Sequence, residues 1–84
     1  MSALPAELSF ATVPAVLAQH QQLLASGVLD LAPVKSADSA GIALLLELTR
    51  RAKHAGKTLV LRNASTAIRS LSAFFGVDSV LTFE

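Results

Sequence analysis

Two short apolar runs, VLDL at residues 28–31 and TLVLR at 58–62, stand on either side of a segment with helical period. This strand–helix–strand order is the strongest constraint on what the chain can become. A first helical pattern precedes it and a third follows. Strands that alternate with helices indicate an α/β domain with a largely parallel sheet.

The flanking elements are also legible. Residues 3–8, ALPAEL, suit a short strand, with Pro5 confining it to an edge or a strand start. Thr12 is placed to cap a helix with Pro14 in its first turn. Val13, Val16, Leu17, His20 and Leu24 then recur at helical spacing as far as Gly27, which suits a left-handed stop. The segment after Asp38 begins with small or polar residues, Ser39, Ala40 and Gly41, that suit a tight turn. A helix is expected from Ser39 to about Ala55. Its last turns carry Arg50, Arg51, Lys53 and His54, where cations complement the helix dipole. Asn63 or Ser65 is placed to cap a third helix with Ile68, Leu71 and Phe75 on one face and Gly76 at its end. Residues 80–83 are expected to add a last strand or a packed tail.

With 84 residues, a single domain spanning 1–84 is expected, with one modest core. Seven basic residues nearly balance six acidic ones, for a net charge of +1. That balance argues against strong electrostatic binding of nucleic acid. Trp and Tyr are absent, which removes the usual base-stacking platforms. There is no cysteine for a disulfide or a thiolate site, a composition that fits a reducing compartment. The longest unbroken apolar run, residues 42–46, is far shorter than the ~20 residues of a spanning helix. The N-terminus lacks the pattern of a signal peptide. A cytoplasmic, soluble protein is expected.

Catalytic chemistry finds little support. Neither a phosphate-binding glycine loop nor a dinucleotide fingerprint is present, so no cofactor is expected. His20 and His54 lack ligand spacing to a carboxylate or to each other, so no metal is expected. A triad of Ser39, His54 and Asp38 fails on geometry. His54 lies about four turns along the same helix from Ser39, roughly 22 Å away at 1.5 Å per residue.

On a helical wheel the central helix divides in two. Gly41, Ile42, Leu45, Leu46, Leu48, Thr49 and Ala52 form the expected core arc. The opposite arc holds Ser39, Ala40, Ala43, Leu44, Glu47, Arg50, Arg51 and His54. It begins small and apolar and becomes charged. Ser39 heads it, where free backbone N–H groups tolerate a phosphate while Asp38 opposes one by like charge. This arc reads either as an ordinary solvated face behind a capped helix or as a docking strip with Ser39 at its tip.

The run DLAPVKSADSAGIALLLELTRRAKHAGKTLVL resembles the STAS domain family. The carrying features are Asp30-Leu31 closing a strand, then Asp38-Ser39-Ala40-Gly41 opening an apolar helix, then a basic turn and a second strand. ELSFATVPAVL is similar to the family's Glu-Leu-Asp-Phe-x-x-x-Pro segment, with Ser9 in the place of the Asp and Ala6 where a Gly is common. The resemblance covers residues 7–81. It implies a small, mostly parallel sheet flanked by helices, and no catalysis. The family's first strand precedes the Glu-Leu segment, so either the sheet is one strand short or the chain starts further upstream. One branch implies an accessory subunit of a Gram-negative phospholipid ABC transporter that maintains outer-membrane lipid asymmetry. Such a subunit would bind the ABC ATPase, in a complex with a permease and an MCE-domain protein, and would not insert into the membrane. Its contact residues would be Lys35, Asp38, Ser39, Ala40, Ala43, Glu47 and Arg50, with an apolar Ala40-Ala43-Leu44 surface. The other branch implies an anti-sigma-factor antagonist controlled by phosphorylation of Ser39. There a second Ser or Thr often follows the first, and Ala40 occupies that place.

Overall fold

Leu29, Leu31, Leu59 and Leu61 are all buried, while Asp30 and Arg62 between or beyond them are exposed, so the alternating leucines of both runs face the core on one side of the sheet. The computed structural model describes residues 4–84. In chain order its elements are β1 (Glu7–Leu8), α1 (Val13–Ala18), α2 (His20–Leu24), β2 (Val28–Asp30), β3 (Ser36–Ala37), α3 (Ser39–His54), β4 (Val60–Arg62), α4 (Thr66–Phe74) and β5 (Thr82–Phe83). Every ladder is parallel. β4 lies between β2 and β5, with Leu29 opposite Leu61 and Leu61 opposite Phe83. β1 pairs with β3, Glu7 opposite Ser36 and Leu8 opposite Ala37. The α/β class and the parallel pairing follow the sequence expectation.

The first helix departs from it. The continuous helix expected as far as Gly27 is broken at Gln19, whose ψ of 15° leaves the helical region. At the break the His20 ring lies 3.0 Å from the Leu17 carbonyl through Nδ1, so the side chain supplies a bond there. Thr12 stands at the cap position without capping. Its hydroxyl instead donates to the Glu7 carbonyl at 2.9 Å and accepts from Ser9 N at 2.9 Å. The strand expected over 3–8 is confined to Glu7–Leu8, and residue 3 lies outside the described residues.

β3 was legible only as loop. Its two residues gain strand geometry from β1, since Lys35 N and Ser36 N both donate to the Ala6 carbonyl and Asp38 N donates to the Leu8 carbonyl. This short ladder places the start of α3 directly against β1. Gly41 meets Leu8 there. A Cβ built on Gly41 would lie 2.2 Å from the Leu8 carbonyl oxygen. The glycine is therefore required by close approach of backbones, and the residues read as a tight turn are the first turn of α3.

At the far end, Ser65 caps α4 by accepting from Ile68 N at 3.2 Å. Asn63 has a left-handed φ of 61° and ties β4 to β2 through Nδ2 to Asp30 Oδ1 at 3.0 Å. That bond, with a second from Ala32 N, holds the Asp30 carboxyl below its ordinary range. Phe75 does not join the buried face of α4. It follows the last helical residue and is 44% exposed, while Ser72 takes the inward place and donates to the Ile68 carbonyl. Of the last strand or packed tail expected over 80–83, a strand forms at Thr82–Phe83, fastened by the Arg62–Glu84 ion pair and by Arg69 stacked over Phe83.

Candidate functional site

Asp38 sits where β3 becomes α3 and uses all its hydrogen-bonding groups locally. Oδ1 accepts from Gly41 N at 3.0 Å, which is the cap of the helix, and Oδ2 accepts from Phe10 N at 3.3 Å. Its own N–H belongs to the β1–β3 junction. One carboxylate thus joins the turn after β1 to the first turn of α3. Ser39, the next residue, is exposed, and its hydroxyl has no hydrogen-bond partner among the described residues.

From Ser39 the exposed line runs along α3 through Ala43 and Arg50, at i, i+4 and i+11. The residue at i+7 is Leu46, half-buried rather than in the core. Leu44, expected on this strip, is instead 2% exposed and packs inside. The two leucines exchange roles because the exposed arc centres on Ser39, Ala43, Leu46 and Arg50. Leu44 falls 140° from Ser39 at 100° per residue, nearer the core side. The apolar part of the strip is therefore Ala43 with Leu46, and the expected Ala40-Ala43-Leu44 surface does not form. Ala40 is half-buried, and Lys35 is exposed just ahead of β3.

Glu47 ends the apolar stretch. It takes Nε and Nη2 of Arg50 at 2.9 and 2.7 Å and Nε of Arg51 at 2.7 Å. The Arg50 and then the Arg51 hydrogen bonds draw its carboxyl down to about 2. The pair raises the Arg50 guanidinium in return. This end of the strip is a fixed fork of charge rather than three mobile side chains.

One residue of this surface escaped the sequence reading. Phe10 is 83% exposed, and its backbone is held by Asp38 beside the head of α3. Its signal was present as a phenyl between Ser9 and Ala11, outside the helical stripe that begins at Val13. Asp38, Ser39 and Phe10 are thus brought together. Lys35 lies one strand away from them, and Glu47 and Arg50 lie two to three turns down the helix.

A family model described as "Mlab, STAS domain" matches residues 3–82. The chain belongs to this family. The small parallel ladders flanked by helices are consistent with the STAS fold. No curated protein sequence matches the chain significantly. Among the described residues no helix is long and apolar enough to cross a membrane.

Proposed function

We propose that this MlaB-type STAS domain is a non-catalytic, cytoplasmic accessory subunit of the Mla phospholipid ABC transporter. It binds the ATPase subunit, MlaF, within a complex that includes the permease MlaE and the MCE protein MlaD, and supports assembly and activity of that complex. The observation that carries this reading is the sparsely charged surface made by Phe10, Ser39, Ala43 and Leu46, anchored by Asp38. Stable interface cores are depleted in charge and enriched in aromatic residues. Lys35, Glu47 and Arg50 form its polar rim, and Ala40 supports it from below. Ser39→Glu and Ala43→Arg each place bulk and charge on this surface without touching the core. Both are expected to lower MlaF affinity by about 30-fold, the scale of a hot-spot residue. Unchanged co-purification of both variants with MlaF removes this face from consideration.

One observation favours a second reading. The exposed, unbonded Ser39 hydroxyl at the first turn of α3 is accessible to a kinase. In that reading the domain is an anti-sigma-factor antagonist released by phosphorylation of Ser39. Incubation with candidate serine kinases and ATP, followed by intact-mass analysis, separates the two. Stoichiometric phosphate on Ser39 favours signalling, and an unmodified mass weakens it. Purification of the tagged chain from its native membranes, with identification of what accompanies it, gives the same decision from the partner side.

A further inference from the structure

A second site lies at the end of α3 remote from Ser39. A groove of about 490 Å³ opens between α2 and the C-terminal end of α3. Its rim carries His20 from α2, Arg50, Arg51 and His54 from α3, and Lys57 from the segment beyond it. Among the described residues no carboxylate lines it, although Glu47 beside it bonds Arg50 and Arg51 and offsets part of their charge. Cations at a helix C-terminus have an ordinary explanation in the dipole. That explanation does not cover His20 and Lys57, which reach the same groove from outside α3.

The donors are arranged rather than merely adjacent. Glu47 holds Arg51 only through Nε, leaving the two terminal nitrogens of that guanidinium for another acceptor. Lys57 Nζ lies 3.2 Å from the Ala25 carbonyl, which keeps the ammonium at the rim and leaves it further donors. A carbonyl only accepts, so His20 donates to Leu17 through Nδ1, and Nε2 of the neutral ring is an acceptor; the anion donors of the groove are the guanidinium and ammonium groups. The last carbonyls of α3 do not compete for these cations. Those of Arg51 and Ala52 accept from Ala55 N, that of Ala52 also from Lys57 N, and that of Lys53 from Gly56 N. Apolar Leu24 and Ala52 contribute to the lining.

We propose that this groove binds a phosphate ester. A tetrahedral, multiply charged oxyanion accepts from guanidinium and ammonium groups that approach from different directions, which a single carboxylate does less well. The volume lies within the range of small-molecule sites, and the apolar lining suits an organic substituent on the phosphate. The groove shares Arg50 with the rim of the docking surface, so the test rests on Arg51 and Lys57, which that surface does not use.

The test uses the full chain and two probes. Glycerol 3-phosphate is titrated into ¹⁵N-labelled protein, and vesicles of phosphatidylcholine with and without phosphatidylglycerol are used for co-sedimentation. Amide shifts at Ala52, Ala55 and Lys57 with the soluble ester assign the site to a free metabolite. Sedimentation that requires phosphatidylglycerol assigns it to a lipid headgroup. In either case Arg51→Gln and Lys57→Gln each weaken binding by about tenfold, the scale of one charge-assisted hydrogen bond, and Arg69→Gln does not. Lys57 is exposed, so its variant keeps the fold and serves as the check on Arg51→Gln. Absence of binding by both probes overturns the proposal. So does binding that Arg51→Gln and Lys57→Gln leave unchanged.

Discussion

At Gly41 the main chain of α3 touches the main chain of β1, and no side chain fits between them. Forced overpacking of this kind costs about 1–3 kcal/mol. Gly41→Ala is therefore expected to lower the thermal midpoint by at least about 4 °C, measured by circular dichroism, since each kcal/mol moves a domain of this size by ~4–8 °C. Asp38 stands beside it with two obligations. Asp38→Ala removes both the cap and the hold on Phe10, at a cost of about 1–2 kcal/mol visible as a shift of the urea midpoint. Phe10→Ala has the opposite profile. With its ring in solvent, stability is expected to stay within ~0.5 kcal/mol, while on the proposed function affinity for MlaF is expected to fall by about tenfold or more in a binding titration. The acid, the hydroxyl and the glycine were all legible as a motif at the head of a helix. What the sequence does not show is the reason for the glycine, because the Leu8 backbone that excludes a side chain lies 33 positions earlier in the chain.

At the scale of one element, α3 shows how far a periodicity carries. Its bounds, its acidic cap and its basic end follow from local signals that act within the helix itself. The exchange of Leu44 and Leu46 lies on the same wheel: at 100° per residue Leu46 falls about 20° from Ser39 and Leu44 about 140°, so the sequence reading set each leucine on the wrong arc and the burial follows the angles. β3 was invisible for a different reason. Two residues carry no period, and their strand geometry is lent by β1. The Glu47 fork makes a prediction of its own. Its carboxyl titrates at about 2 instead of its ordinary 4.5, owing first to the Arg50 hydrogen bond and then to that of Arg51. A depressed folded-state value means that the carboxylate's contribution is complete above 4.5 and is lost as pH falls through about 2. The difference in thermal midpoint between wild type and Glu47→Gln should therefore narrow across that interval. Carboxyl-carbon NMR of Glu47 should place the titration near its lower end.

The whole molecule turns on β4. Leu61 is fully buried on the strand that pairs with both β2 and β5, and Leu61→Ala is expected to cost about 2–5 kcal/mol. For a domain of this size, with total stability of the order of 4–12 kcal/mol, that removes a large share, read as a fall in the urea midpoint. The parallel arrangement was legible because alternating strands and helices admit few other solutions. The division into a two-stranded and a three-stranded ladder was not, because it depends on which short segments meet in space. Parallelism also has a consequence in time. Every ladder joins distant parts of the chain, Glu7 with Ser36, Val28 with Val60 and Val60 with Thr82. Non-local pairing of this kind slows folding relative to helical domains. Until β5 docks, the folding chain carries β4 with one edge unpaired, the form of surface on which another chain can pair.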